Sequence, residues 1–158
     1  MLGKSRKDPA PGVEAMSPQV QELSKLWLLL AMRNLRSIVL VPADRKESAV
    51  EVARSLAEAG LRIRDGEVTL LAMTGPQDYA ATVRAVTGLS GQQGNGSPPR
   101  RLIVAIPSVL SEPLGLGVTH AADGTLLCVR VGKSRAASAR RTSELVGRGR
   151  IAGCVLIR

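Results

Sequence analysis

Aromatic side chains are nearly missing from this sequence: Trp27 and Tyr79 stand alone, and there is no Phe. Single-strand and RNA binders stack bases on aromatic platforms, so that mode of recognition is disfavoured, while a mode built on phosphate contacts alone stays open. Cysteine is scarce too. Cys128 and Cys154 each lie inside an apolar stretch and read as small buried hydrophobes, not as a disulfide framework or a metal cage, which fits a reducing cytoplasm. Long hydrophobic runs are lacking: the longest near the N-terminus, Leu26 to Met32, is seven residues, where a bilayer span needs about 20 and a secretory signal is followed by a small-residue cleavage site. Neither a membrane span nor secretion is expected. The one histidine, His120, has Asp123 nearby and reads as a surface or turn residue in place of a catalytic base.

What is present is enough apolar material, 44% of 158 residues, to bury the core of one domain of ordinary size. Charge is the other asset. Lys and Arg number 22 against 13 Asp and Glu, a formal net charge of +9. The excess sits in the last third, where residues 100–158 hold ten basic and three acidic side chains. A basic surface of that kind invites an anionic partner.

Residues 1–16 mix charges with Pro and Gly without periodicity and read as a flexible tail, leaving residues 17–158 as a single domain. Ser17 followed by Pro18 is a helix start. The helix runs to about Asn34, with Val20, Leu23, Leu26, Trp27 and Leu30 on one face and Leu28, Leu29 and Met32 widening it. Ser37 to Val41 is a continuous β-branched apolar run, the pattern of a strand buried on both faces of a parallel sheet. Asp44 or Ser48 is placed to cap a second helix through Glu58, with Val50, Ala53, Leu56 and Ala57 inward and Gly60 as its stop. Further strand-like runs fall at Val68–Met73, Leu102–Ile106, Thr125–Val131 and Ile151–Ile157, with helical stretches at Pro76–Val86 and Ser134–Val146. The alternation predicts an α/β fold with an open, mostly parallel sheet of about five strands flanked by helices. Residues 88–100, rich in Gly, Gln, Ser and Pro, read as a loop, and the spacing of Gly91, Gly94 and Gly96 matches no dinucleotide fingerprint.

In such a sheet ligands bind outside the carboxyl ends of the strands. The first loop there, Pro42 to Ser48, offers Lys46 and Ser48 but no glycine, and Glu47 between them opposes a triphosphate. The helix that follows still offers a weak positive end, so Lys46 and Ser48, with Lys133 from the later loop, are the candidate residual anion-binding residues. Neither Gly3-Lys4-Ser5 nor Gly132-Lys133-Ser134 is a nucleotide loop, because Leu127 stands where the leading Gly would precede Gly132 and no strand precedes the other copy. After Arg101–Ile106, taken as the central strand, Ala105 or Ile106 stands where a magnesium-positioning Asp is needed, and Ser108 lacks a nucleophile elbow and a base. No catalytic residue and no metal ligand set is assigned.

The order of these pieces resembles a known family. Ile106-Pro107-Ser108, Ala122-Asp123-Gly124, the turn Arg130 to Ser134, Arg140-Arg141 and Gly153 follow one another as do the motifs of the P-loop ATPase domain of bacterial tyrosine kinases. Those kinases accompany capsule and exopolysaccharide export and are relatives of the chromosome-partitioning ATPases. The helix ending in Arg33-Asn34-Leu35, the stretch from Ser37 to Ser48 and the helix closing at Gly60 are similar to the family's front end. The departures fall on the chemistry: ADRKES replaces the Gly-rich loop, LRIRDGEVTLL the Asp-bearing strand, and Ala105 the later Asp, and Arg158 closes the sequence with no tyrosine-rich tail. In the family's oligomerisation helix Glu-x-x-Arg-x-x-Arg is the pattern, and this chain has Glu22, Lys25 and Leu28.

The resemblance implies a P-loop-ATPase-like sheet without its active site: an inactive scaffold or regulator in capsule or exopolysaccharide biosynthesis or export that needs no cofactor. It would work through protein contacts in the cytoplasm or peripheral to the inner membrane, with a membrane export component as partner. Glu22 and Lys25 would then mark a homo-oligomer contact, and Arg135, Arg140 and Arg141 on the basic helix a partner surface. Two alternatives stand beside it: a DNA-binding partitioning-ATPase relative using that basic helix, and an active tyrosine kinase with a non-standard nucleotide loop.

Overall fold

The computed structural model describes residues 17–90 and 99–158; the expected tail at 1–16 and residues 91–98 of the expected loop lie outside them. The elements run α1 (Pro18–Met32), β1 (Ser37–Pro42), α2 (Val50–Ile63), β2 (Glu67–Ala72), α3 (Tyr79–Ser90), β3 (Arg100–Ala105), α4 (Gly115–Ala121), β4 (Gly124–Arg130), α5 (Ala136–Val146) and β5 (Ile151–Ile157). Short 3-10 turns at Pro76–Asp78 and Arg148–Arg150 lead into α3 and β5. All five strands are parallel, in the order β2-β3-β1-β4-β5. The expected α/β open sheet is therefore the fold.

β1 is the centre of the sheet, not the Arg101–Ile106 strand, and all six of its residues are buried. Its alternate side chains feed two core layers. Ile38 and Leu40 meet α1 and α2 through Leu23, Trp27, Leu30 and Leu56. Val39 and Val41 meet α3, α4 and α5 through Val86, Val118 and Val146. A strand covered on both faces needs an unbroken apolar sequence, which is why this one was readable. The chain leaves β1 toward one face of the sheet, whereas the helices after β3 and β4 pack on the other. The carboxyl end of β1 is consequently flanked by turns that part in opposite directions, the arrangement that opens a crevice in a parallel sheet.

Several local expectations are corrected. Leu28, Leu29 and Met32 do not widen the buried face of α1; they are exposed, because the sheet and α2 cover the Leu23–Trp27–Leu30 stripe, with Leu26 at its margin. Gly60 does not stop α2. The helix continues to Ile63 and ends at Arg64 in the left-handed conformation (φ 56°). Gly60 is required instead where α1 crosses α2, since a Cβ there would run into the Trp27 ring. Asp44 does not cap α2. Ala49 holds the N-cap position without a side-chain bond, and Ser48 Oγ accepts from the Val50 amide at 3.2 Å. Gly88 to Ser90 belong to α3, and α4 was not foreseen. Cys128 is buried, and burial pushes its thiol up to about 12, but Cys154 on edge strand β5 is exposed.

Candidate functional site

The crevice beyond β1 is built by two turns distant in sequence. Pro42 ends β1, and the Ala43 amide donates to the Cys128 carbonyl at 2.8 Å, which carries the turn Asp44–Ser48 over the end of β4. The turn after β4, Val131 to Arg135, arches back toward it. Asp44 is buried beneath that arch. Its Oδ2 accepts from the Arg135 amide and from Arg135 Nε, both at 3.1 Å, and its Oδ1 from Arg135 Nη2 at 3.2 Å and from the Arg45 amide at 2.7 Å. This forked, charge-assisted geometry is the strong form of the ion pair. The bond from the Arg135 side chain, then those from the Arg135 and Arg45 amides, hold the Asp44 carboxyl well below the ordinary carboxylate range. The same contact pushes the Arg135 guanidinium up.

Two further ties close the turns on each other. Ser134 Oγ accepts from the Arg130 amide at 2.8 Å and donates to Glu47, whose two carboxylate oxygens lie 2.8 and 2.7 Å away. Thr142 Oγ1 of α5, fully buried, donates to the Ala43 carbonyl at 3.2 Å. The mouth at β1 is therefore clasped at Ala43, Asp44 and Glu47.

A phosphate cradle needs main-chain amides that converge on empty space. Here the amides of Ala43, Arg45, Glu47 and Val50 donate respectively to Cys128 O, Asp44 Oδ1, Asp44 O and Ser48 Oγ. No glycine lies between Pro42 and Ala49, and two carboxylates occupy the mouth. Next door, Ala105 and Ile106 at the end of β3 are buried apolar residues, and Ser108 Oγ accepts from the Leu110 amide at 3.2 Å.

The candidate residues divide among three places. Lys46 and Lys133 line one open hollow of about 400 Å³ with Asp44, Arg45, Glu47 and Arg135. Arg135 and Arg141 line an adjoining hollow of about 530 Å³ with Arg45, Leu110, Ala137 and Ser138. Ser48 does not join the lysines. It lines a separate groove with Gln19, Glu22, Glu51 and Val155, because the turn carries it to the α1 side of the sheet. Arg140 is exposed but lines neither basic hollow. On α1, Glu22 and Lys25 form an exposed ion pair at 3.0 Å, and Leu28 beyond them is half exposed.

Sequence reasoning missed Arg45, Leu110 and the Asp44–Arg135 pair. Nothing in the chain announces a contact between residues 91 apart; only the adjacency of β1 and β4 brings them together. Asp123, by contrast, lies at the opposite end of the sheet from the crevice, where its Oδ2 accepts from the Arg36 and Ser37 amides at 2.8 and 3.1 Å and ties β4 to β1. His120, next to it on α4, is exposed.

Among the described residues there is no cluster of three or more His, Cys, Asp or Glu side chains fit to hold a metal ion, and no helix long and apolar enough to cross a membrane. No protein-family model matches the chain, and no curated protein matches it. Fold and crevice define a class: an all-parallel open-sheet α/β protein whose central mouth is closed by its own ion pair and ringed with cations.

Proposed function

We propose that this chain is a non-catalytic scaffold or regulator with a P-loop-ATPase-like sheet, acting through protein contacts in capsule or exopolysaccharide biosynthesis or export. The pathway comes from the resemblance to the bacterial tyrosine kinase family. The loss of catalysis is supported by one observation above all: in the turn that would wrap phosphates the amides of Ala43, Arg45 and Glu47 are bonded within the fold, and its carboxylates, Asp44 and Glu47, are clasped to Arg135 and Ser134. Admitting a triphosphate means setting phosphate oxygens against two carboxylates and disturbing a forked ion pair whose carboxylate is buried under an exposed guanidinium.

A role in binding partners is favoured by what the clasp leaves over. Arg45, Lys46 and Lys133 point into the mouth without a carboxylate partner among the described residues. The outward face of α1 carries Glu22, Lys25, Leu28, Leu29 and Met32, an amphipathic surface suited to self-association or to the cytoplasmic part of a membrane component. The test is calorimetric titration of the purified chain with ATP, with and without Mg²⁺, alongside a phosphotransfer assay. The expected result is no saturable affinity in the micromolar range and no transfer. Tight Mg²⁺-dependent binding would overturn the reading.

A further inference from the structure

The two hollows beside the clasp share Arg45 and Arg135 and form one continuous basic mouth. Five cations line it, Arg45, Lys46, Lys133, Arg135 and Arg141, against the carboxylates of Asp44 and Glu47. Those carboxylates are already engaged: Asp44 lies under Arg135, and Glu47 is bonded to Ser134. Arg141 has only a long 3.7 Å contact with Glu144 one helical turn away, and both remain largely exposed. The balance is therefore positive, five cations against the carboxylates of Asp44 and Glu47, with Glu144 beside Arg141. The second hollow also offers apolar contact, the half-buried Leu110 and the exposed Ala137, in one lining with Arg45 and Arg141.

We infer that this mouth docks an acidic peptide segment of a partner protein, with carboxylates on Arg45 and Arg141 and an aliphatic side chain on Leu110 and Ala137. The inference rests on the reading that no nucleotide occupies the same mouth. Guanidinium forks match carboxylates in pairs, and the aliphatic contact beside them is something a phosphodiester backbone has no group to fill. No aromatic lines either hollow, so there is no platform for a base.

The experiment is a fluorescence-anisotropy titration of the whole chain with a labelled Asp-Glu-Leu-Glu-Asp peptide and with its Ser-for-Leu counterpart, in parallel with duplex DNA, phosphatidylglycerol vesicles and Mg-ATP. Saturable binding of the Leu peptide is expected, several times tighter than the Ser peptide and weakening with salt. Arg45→Glu with Arg141→Glu should weaken it about a hundredfold, and the milder Arg45→Gln with Arg141→Gln about tenfold. The control pair Arg62→Glu with Arg148→Glu, exposed residues elsewhere, should change it by about twofold or less. Equal loss in both pairs would reduce the effect to the general attraction of a +9 chain and overturn the proposal. So would equal affinity for the two peptides, tighter binding to DNA or vesicles, or no saturable peptide binding. Saturable ATP binding would instead sink the non-catalytic reading, so the two failures are distinguishable.

Discussion

The two ends of the sheet use the same kind of bond to opposite effect. At the amino end, Asp123 takes two main-chain amides, and Arg101, itself buried, is bonded to Asp65 at 3.0 Å and to the Leu35 carbonyl at 2.7 Å, with its guanidinium 5.9 Å from the Trp27 ring centre. Each of these charges has a partner. At the carboxyl end, Asp44 and Glu47 are matched as well, but three or more cations remain beyond them. The difference lies in surplus, not in residue type. A balanced cluster locks strands together; an unbalanced one at the mouth of a crevice awaits something from outside.

The sharpest way to break this comparison is at Arg101. Arg101→Met should lower stability by about 3 kcal/mol in chemical denaturation, because it strands Asp65 and a main-chain carbonyl beside the core. A change under about 1 kcal/mol would mean that the amino end is not locked as described. Asp44→Asn should have a smaller effect, and one that depends on pH. The folded carboxyl is depressed, so its contribution is fully present above the unfolded value near 4 and is lost as pH falls through the folded one. The gap in melting temperature between wild type and Asp44→Asn should accordingly be constant from about pH 5 to 8 and narrow in strong acid. A gap that widens on acidification would contradict the ion pair. Least affected should be Arg45→Gln with Arg141→Gln, expected within about 0.5 kcal/mol of wild type, since exposed surplus cations hold nothing together. Marked destabilisation would show that the mouth is as structural as the other end.

The strands were legible wherever one sequence rule covered them. β1 was read to within a residue because burial on both faces demands an unbroken apolar run, and β5 matched Ile151–Ile157. The outer face of α1 was misread for the same reason in reverse: Leu26 to Met32 is apolar all round, so periodicity could not say that Leu28, Leu29 and Met32 face outward. α4 was hidden by Gly115 and Gly117 in a seven-residue helix. At the mouth, Lys46 and Lys133 were grouped as anion-binding candidates because each lies in a loop after a strand, and they line one hollow. Ser48, close in sequence, fell into a different groove, because one turn of backbone decides which side of the sheet a residue meets. The Asp44–Arg135 clasp needed the strand order as well as the sequence.

Trp27 is the chain's single indole, 1% exposed, pressed against the bare backbone of Gly60 and close to the Arg101 cation. Its emission is therefore a built-in gauge of one event, the seating of the first helix on the second. Since Tyr79 is the only other fluorophore and packs in the opposite layer, loosening of one face of the molecule can be followed optically while the other stays silent.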